Sequence, residues 1–437
     1  MRGQRRLWLV AVIALIAVSA LAYGCKEEKE EVPTPTATAG GTPSALSGEL
    51  EVFSWWTTGG EQAGKQALFD LYPTACSPDV DIIDATVAGG AGFNARQVLT
   101  TRMLGGDPPG SFQVHMGHEL TDTWVTTDYM EPLGWLFDEE GWADIFPQGV
   151  LDIVSFEGEP YSVPVNIHRA NVLWYNKAVF EANNLQPPTT FDEFVQVADA
   201  LEAAGITPLA LGDNGIWASV HLMETVLLGT LGADGYNGLW TGETDWKSAK
   251  VTEALENFKK MLTYVNSDHT SLSWDQANDL VISGKAGMTV MGDWVDADNT
   301  AKKFADSGWV PAPGTTGMFD ALSDTFGLPK NAPNPDAVEC WLKVVGTKEG
   351  QEAFNTLKGS ICARNDCDAS KFDAYLQSAM DDWKKDTIVP SLAHGAAASQ
   401  GWVEEVNDAA TVFVTDRNVS SFQSRLADAC KSAGVCK

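Results

Sequence analysis

From residue 48 onward, stretches with a two-residue hydrophobic period alternate with stretches of helical period. Leu50, Val52 and Phe53 lie among polar residues and predict a first strand, which a glycine-rich turn separates from a helix around residues 62–71. The same reasoning predicts strands at 80–87, 111–116, 167–176 and 288–291, and helices at 94–104, 192–203, 221–231, 249–265 and 277–283. Strands that alternate with helices in this way are typical of an α/β fold.

The first 24 residues indicate an export signal. Arg2, Arg5 and Arg6 precede an apolar run at 7–22 that is short for a membrane span. The run ends in LAYGC, so Cys25 is predicted to be the lipid-modified first residue of the mature protein. The usual lipoprotein signal has leucine where Ala22 stands, and an uncleaved anchor is the alternative. In both cases the folded part is expected outside the cytoplasm, attached to the membrane only through its N-terminus.

Residues 25–48 are charged at first and then rich in Pro, Thr, Ala and Gly. Such a segment cannot bury a core, so it is predicted to be a flexible tether. Roughly 390 residues remain, which suggests two or more domains or lobes. The net charge is −30, and removing residues 1–24 takes away three arginines and no acids, giving −33. This charge argues against nucleic acid and anionic membrane surfaces as partners.

Seven cysteines are present, of which six remain beyond Cys25. An even number in an exported chain favours disulfides. Six cysteines allow about 15 pairings, and a zinc site is another interpretation, although no C-x-x-C pair exists here. The pairs that sequence proximity favours are Cys362–Cys367 and Cys430–Cys436, with Cys76–Cys340 as the remaining long-range pair.

The end of the first strand carries candidate ligand contacts. Trp55 and Trp56 are followed by the turn TTGG and then by Glu61. Ligands of open α/β sheets bind at the carboxyl ends of strands, and an aromatic face beside a carboxylate suits a sugar. Both tryptophans are alternatively part of the core. A phosphate-binding loop is a further alternative for GGEQAGK, but Gln66 stands where that motif needs Ser or Thr.

Gln113 and His115 alternate with apolar residues on the strand predicted at 111–116. Polar side chains at the end of a strand are ligand candidates, and a solvated strand face is the other interpretation. His115 and His118 have no third metal ligand nearby in the sequence, so no metal site is predicted.

Six stretches in order along the chain resemble the sugar-binding proteins of ABC importers: ELEVFSWW, ATVAGGAGFNARQVLTTRMLGGDPPGSFQVH, SVPVNIHRANVLWYN, GKAGMTVMGDW, LSDTFGLPK and LKGSICAR. The resemblance is closest to the glucose- or glucose/galactose-binding branch of the maltose-binding-protein-like class. It covers essentially all of the chain after the tether. It implies a protein that binds a monosaccharide, delivers it to membrane permease subunits and needs no cofactor.

The resemblance also implies two α/β lobes that hold the ligand in the cleft between them. Crossing segments are expected near 163–169, 309–314 and 350–358, and such segments act as a hinge that closes the lobes on the ligand. Lobe one is expected to comprise 49–164 plus 313–350, and lobe two 165–312 plus 351–437. The protein is expected to be a monomer.

The same resemblance supplies a set of sugar-contacting residues: Trp55, Trp56, Glu61, Gln113, His115, Trp274, Asp324, Lys358 and His394. Asp293 and Trp294 belong to a shared motif and are weaker candidates for direct contact. The turn before Glu61 is one residue longer than in the family, which leaves open which of the two adjacent tryptophans faces the cleft. Trp274 is expected to stack on the sugar ring from lobe two. Charge-assisted hydrogen bonds are stronger than neutral ones, so Glu61, Asp324 and Lys358 are expected to dominate the orientation of the sugar.

Two other functions compete with a sugar receptor. A secreted glycoside hydrolase needs two carboxylates that flank one glycosidic bond, and Glu61 and Asp324 are the candidates for such a pair. An adhesin or cell-wall scaffold would fit the tether and the charge but usually shows repeats, and none is evident. The favoured prediction is an extracellular protein, not an enzyme, that captures glucose or a related monosaccharide for an ABC importer.

Overall fold

The computed structural model describes residues 46–57, 59–89 and 92–436. The predicted signal peptide, Cys25 and most of the predicted tether lie outside these residues. Residues 46–48, the last three of the predicted tether, belong to the folded part, because Gly48 begins the first strand and the Leu46 carbonyl accepts a hydrogen bond from Ser77. Within the described ranges, no helix is long and apolar enough to cross a membrane.

Short strands and longer helices alternate along the chain, as the hydrophobic periods predict. The strands are β1 Gly48–Ser54, β2 Val80–Thr86, β3 Ser111–His115, β4 Ser155–Phe156, β5 Glu159–Pro160, β6 Ser162–Pro164, β7 His168–Arg169, β8 Val172–Asn176, β9 Thr207–Leu209, β10 Ala286–Met291, β11 Ser307–Pro311, β12 Met318–Leu322, β13 Asp324–Gly327 and β14 Thr387–Pro390. The helices are α1 Gly59–Ala75, α2 Phe93–Leu104, α3 His118–Leu120, α4 Gly134–Glu139, α5 Gln148–Ile153, α6 Lys177–Ala182, α7 Phe191–Ala203, α8 Trp217–Thr241, α9 Ala249–Met261, α10 Trp274–Ile282, α11 Trp294–Ala301, α12 Pro335–Gly346, α13 Lys348–Lys358, α14 Ala374–Lys385, α15 Gln400–Asp416 and α16 Val419–Ser432.

Two main sheets organise these elements. The first has the order β2-β1-β3-β13-β6, with β1 parallel to β2 and β3, and β13 antiparallel to β3 and β6. The second has the order β11-β8-β10-β9, with β8 antiparallel to both neighbours. A three-stranded sheet, β14-β12-β7, and a hairpin of β4 and β5 complete the strand pairing.

The chain runs between the main sheets by way of the three-stranded sheet. Residues 162–176 pass from β6 through β7 to β8, and residues 307–327 pass from β11 through β12 to β13. The first two predicted crossing segments fall in these stretches. Helix α13 packs along α1 and α12, which favours a third crossing after Lys358 instead of at 350–358. The lobe borders stay a prediction.

Local sequence explains several boundaries. Helix α7 begins with a capping box, in which Thr190 accepts from the backbone N–H of Glu193 and Glu193 accepts from that of Thr190. The strand predicted at 167–176 is interrupted after Arg169. There the Asn171 side chain donates to the backbone oxygen of Met318 and accepts from the backbone N–H of Asp320, which ties this corner to β12.

The two disulfides that sequence proximity favours and the remaining long-range pair are all present. Cys76–Cys340 spans 264 positions and joins the end of α1 to α12. The other two bridges close short loops, and they are Cys362–Cys367 and Cys430–Cys436.

Candidate functional site

A cavity of about 220 Å³ opens at the carboxyl end of β1. It is smaller than the roughly 300–1,000 Å³ of pockets for drug-sized ligands, so it suits a small ligand. Most residues that the sequence predicted for ligand contact line it. They are Trp55, Trp56, Glu61, His115, Trp274, Trp294, Asp324, Lys358 and His394.

Gln113 does not line the cavity, contrary to the prediction. Its Nε2 donates to Oδ1 of Asp324 at 2.7 Å, and its Oε1 accepts from the backbone N–H of Trp55 at 3.2 Å. Gln113 and His115 share one face of β3, but Gln113 lies two residues, about 7 Å, further from the carboxyl end of the strand. Gln113 therefore holds two cavity residues, Asp324 and Trp55, in place through hydrogen bonds.

Asp293 also lies behind the cavity wall. One carboxylate oxygen bonds Nδ1 of His168, and the other accepts from the backbone N–H of Arg169 at 2.9 Å. Since His168 lines the cavity and Asp293 does not, the role of Asp293 is to orient that imidazole ring.

Sequence reasoning missed several lining residues, and one repeated pattern would have found some of them. Trp217, Trp274 and Trp294 are each the first residue of a helix, α8, α10 and α11, and all three line the cavity. Each of these tryptophans follows a turn that contains glycine or serine, and the same pattern at the other two positions would have predicted Trp217. The other missed residues are Thr57, Gly89, Gly92, His168, Asn214, Ser273, Asp275 and Leu322.

Aromatic rings flank the cavity. The ring centroid of Trp294 lies 6.4 Å from that of Trp217 and 6.5 Å from that of Trp274. Trp55 lies 5.0 Å from the His115 ring. Trp56 also lines the cavity, but it is 1% exposed and packs on Phe326 and Phe354, so it contributes mainly to the core.

The only lysine among the lining residues, Lys358, is buried at the base of the cavity. Its Nζ lies 3.0 Å from Nε2 of His168 and 3.4 Å from Oε1 of Glu61, and its side chain is 2% exposed. The same ammonium lies 5.9 Å from the ring of Trp56 and 5.7 Å from that of Trp294. This geometry offers a ligand a charged donor between aromatic faces.

Asp324 is the acceptor of the site. Its Oδ2 accepts from Nδ2 of Asn166 at 2.9 Å, and its backbone N–H donates to Oδ1 of Asn166 at 2.7 Å. Burial alone would raise the pKa of Asp324, but hydrogen bonding with His168 and the charges of Lys358 and His115 hold it well below its usual range. Asp324 is therefore ionised under all ordinary conditions.

The pKa values of Glu61 and His168 are both raised, for different reasons. Burial raises the pKa of Glu61, Lys358 opposes this, and the Asp324 charge adds to it. Burial and Lys358 lower the pKa of His168, but its partner Asp293 outweighs them, so the pKa of His168 is raised.

The glycines before Lys65 serve helix packing. A Cβ at Gly60 would lie 2.3 Å from the backbone oxygen of Leu357, so this glycine lets α1 approach α13 and brings Glu61 beside Lys358. Lys65 is buried, and its Nζ donates to both carboxylate oxygens of Asp84 at 2.7 Å. The phosphate-binding alternative for this stretch therefore finds no support in the geometry.

Three buried residues beside the cavity offer potential metal ligands. His221, Glu224 and His394 each place one ligand atom within 4.8 Å of the others. Hydrogen bonds already occupy most of these atoms: Glu224 accepts from two backbone N–H groups and from Ser391, which also contacts His394. His221 has no hydrogen-bond partner for either ring nitrogen among the described residues.

A second cavity, of about 630 Å³, lies beside α5 and β14. Trp383, Ile388, Val389 and other apolar residues form most of its wall, and His118 and Asp152 are its titratable groups. No buried charged group is among the described residues that line it, so the smaller cavity is the better candidate for specific recognition of a polar ligand.

Comparison with known proteins agrees with this geometry. Residues 55–352 match the family described as bacterial extracellular solute-binding protein. The chain belongs to that family. This solute-binding protein is 34% identical, over 98% of its length and 97% of the relative's, to an uncharacterised ABC transporter extracellular-binding protein of Pyrococcus horikoshii. It is 33% identical, over 82% of its length and 87% of the relative's, to a probable sugar-binding periplasmic protein of Brucella suis.

Solved structures confirm the predicted fold, a two-lobed α/β solute-binding protein. The bacterial solute receptor AcbH, described as having an exclusive substrate preference for β-D-galactopyranose, superposes with a TM-score of 0.79 at 20% identity. The match covers 89% of this chain and 99% of that one. The family also confirms the prediction that the chain is a binding protein and not an enzyme, and the glycoside hydrolase alternative has no support.

Proposed function

We propose that this extracellular solute-binding protein captures a monosaccharide, glucose or a closely related sugar, and delivers it to the membrane subunits of an ABC importer. The observation that carries the proposal is the cavity in which tryptophans flank Asp324, Lys358 and His394. A pyranose has an apolar C–H face that suits aromatic rings and a rim of hydroxyls that suits buried donors and acceptors. The volume of about 220 Å³ favours a single sugar ring.

The relatives support the same ligand class. The Brucella relative is named for sugar binding, and AcbH for β-D-galactopyranose, a stereoisomer of glucose. The sequence resemblance to glucose-binding proteins favours glucose within that class.

Calorimetry against D-glucose, D-galactose, D-xylose, L-arabinose and maltose tests the proposal. We expect stoichiometric binding of a monosaccharide, without turnover. Trp274→Ala should weaken that binding by about 2–3 kcal/mol, as truncation of an aromatic anchor does. Trp135→Ala is the matched control, because Trp135 is 44% exposed and does not line the cavity. Unchanged affinity in folded Trp274→Ala, or no binding of any sugar, would contradict the proposal.

We also propose that the mature protein begins at lipid-modified Cys25 and acts as a monomer at the cell surface or in the periplasm. The support is the LAYGC signal and the composition of the following segment. Mass spectrometry of membrane-extracted protein checks it: an intact segment 1–24, or an unmodified Cys25, would be inconsistent with processing or with the lipid.

Lobe closure on the sugar is the proposed mechanism of capture. A ligand that contacts both lobes binds the closed form better and shifts the open–closed equilibrium toward it. Small-angle scattering should show a smaller radius of gyration with saturating sugar, and an unchanged radius would count against closure.

A further inference from the structure

A chain of three buried groups leads from the core to the cavity. Oε1 of Glu224 lies 2.9 Å from Oγ of Ser391, and that Oγ lies 2.8 Å from Nδ1 of His394. Glu224 and Ser391 are fully buried, and His394 lines the cavity. Among the residues that the structure describes, Nε2 of His394 has no hydrogen-bond partner.

The direction of each hydrogen bond follows from what each group is able to donate. Oε2 of Glu224 accepts from the backbone N–H groups of Leu392, at 2.6 Å, and Ala393, at 2.9 Å. Above its raised pKa of about 7, Glu224 is an ionised carboxylate that only accepts, so the single hydroxyl hydrogen of Ser391 points to Oε1 of Glu224. The hydroxyl oxygen of Ser391 must then accept from His394, which requires a hydrogen on Nδ1.

We propose that Glu224 and Ser391 are positioning residues that hold His394 in the Nδ1–H tautomer, so that its Nε2 faces the cavity as a hydrogen-bond acceptor. The partner that this acceptor selects is a ligand hydroxyl that donates its hydrogen. The identity of that ligand as a sugar rests on the proposed function, whereas the tautomer does not.

The surroundings keep His394 neutral, which the tautomer requires. Burial lowers the pKa of His394 well below its usual value, the neighbouring His221, His115 and His168 lower it further, and Asp324 opposes them. A neutral imidazole carries one ring hydrogen, so fixing it on Nδ1 leaves Nε2 with a lone pair.

A metal ion held by His221, Glu224 and His394 is the competing explanation of this cluster. It would need an oxygen of Glu224 that now accepts hydrogen bonds, and a metal bound at Nδ1 of His394 would leave the ring hydrogen on Nε2. The two explanations therefore predict different hydrogen positions on one ring.

Nitrogen-15 NMR of the imidazole rings in the full, sugar-free protein at pH 8.5 distinguishes them. Burial raises the pKa of Glu224 to about 7, so this pH keeps its carboxylate ionised. The His394 signals are assigned by their loss in His394→Asn. We expect Nδ1 to carry the hydrogen in the wild type, and an Nε2–H ring would overturn the proposal.

Glu224→Gln should reverse the tautomer. The two backbone N–H groups at the Oε2 position require the amide oxygen there, so the amide nitrogen takes the Oε1 position and donates to Ser391. Ser391 then donates to Nδ1, which moves the ring hydrogen to Nε2. Ser391→Thr should retain the wild-type tautomer, and Ser391→Ala should give a mixture. If folded Glu224→Gln retains the Nδ1–H tautomer of His394, the proposal is overturned. If that variant does not fold, the spectra of the wild type and of the Ser391 variants decide.

Glu352→Gln is the matched control, since Glu352 is also a buried glutamate that accepts a backbone N–H, from Asp368, and lies outside this chain of groups. It should leave the His394 signals unchanged. Equilibrium dialysis against Zn²⁺ adds a second readout: a stoichiometric ion that is lost in His221→Asn would support the metal explanation and overturn ours.

Calorimetry with D-glucose, D-galactose and their mono-fluorinated analogues connects the tautomer to the ligand. Fluorine accepts but does not donate, so one substituted position should lose about tenfold or more in the wild type and recover in Glu224→Gln. Failure of every sugar to bind, with the Nδ1–H ring observed, would count against the proposed function alone. Tight sugar binding with an Nε2–H ring would overturn the tautomer proposal alone.

Discussion

Replacing Glu224 with glutamine should change how the stability of this protein depends on pH. Glu224 is fully buried, and burial raises its pKa from 4.5 to about 7 even though two backbone N–H groups and Ser391 oppose the shift. Tyr236 and Asp320 also face this carboxyl group, and neither supplies a positive charge. The glutamine variant keeps the shape of the side chain and removes its titration.

The sign follows from the direction of the shift. Because the folded-state pKa of Glu224 lies above the unfolded value, the folded protein keeps a proton that the unfolded chain releases between pH 4.5 and 7. The stabilising contribution of that proton is fully present below pH 4.5 and is lost as the pH rises to about 7. The loss is about 3 kcal/mol, since one pKa unit corresponds to about 1.4 kcal/mol.

A neighbouring histidine acts in the opposite direction in nearly the same window. Burial lowers the pKa of His221 from 6.5 to about 4, so its contribution is lost as the pH falls from 6.5 toward 4. Nδ1 of His221 lies 3.7 Å from Oε1 of Glu224. The opposing pH dependences of Glu224 and His221 largely cancel in the stability of the wild type. Glu224→Gln removes the first of them, so the dependence that comes from His221 becomes measurable.

Urea unfolding at pH 4.5, 5.5, 6.5 and 7.5, with disulfides intact, measures the difference in free energy of unfolding between wild type and Glu224→Gln. We expect that difference to fall by about 3 kcal/mol from the lowest pH to the highest. The pKa of Glu352 is lowered, so the contribution of its carboxylate is lost mainly below pH 4.5, and the difference for Glu352→Gln should change little over this range. A pH-independent difference for Glu224→Gln would refute the reasoning.

Three further variants test the site and the scaffold. Lys358→Met should weaken sugar binding about 10–100-fold in calorimetry, because it removes a charged donor, and wild-type affinity would contradict that role. Asp324→Asn should lower the free energy of unfolding in urea by about 2–3 kcal/mol. Each carboxylate oxygen of Asp324 accepts from a side-chain amide, of Gln113 or of Asn166, so the amide nitrogen of asparagine would face another donor in either orientation; unchanged stability would refute this. Cys76→Ser combined with Cys340→Ser should cost about 3–5 kcal/mol, since the bridge spans 264 positions, and an unchanged thermal midpoint would argue against the bridge.

The sequence predicted the regular part of the fold well because that part depends on local patterns. The alternation at Leu50 and Val52 places β1 correctly, and the capping residues Thr190 and Glu193 start α7 where the helical period begins. The three-stranded sheet escaped prediction. Its β7 is two residues long and forms only because 307–327 supplies β12, a partner distant in sequence.

The residues of the candidate site also fall into those that local sequence predicts and those that depend on contacts between distant elements. Trp55, Trp56 and Glu61 were recognisable because they follow a predicted strand, where ligands of α/β sheets bind. His168 gave no local signal, since it is one of several polar residues between Asn166 and Asn171, and Asp293 and Lys358 approach it from distant elements. Gln113 lies two residues before His115 on β3, and the strand pattern alone did not show that only His115 reaches the cavity.

The charges beneath the cavity are difficult to explain by stability alone. Asp324, Lys358, His168 and Asp293 are all nearly fully buried, and each loses the hydration that water would provide. Buried ion pairs are on average no more stabilising than well-packed apolar residues of the same volume, because desolvation offsets their attraction. Lys358, Asp324 and His168 line the cavity, and Asp293 holds the His168 ring in place. A site whose donors and acceptors are already oriented loses less entropy when a polar ligand binds, and this gain in preorganisation accounts for charges that the fold itself does not need.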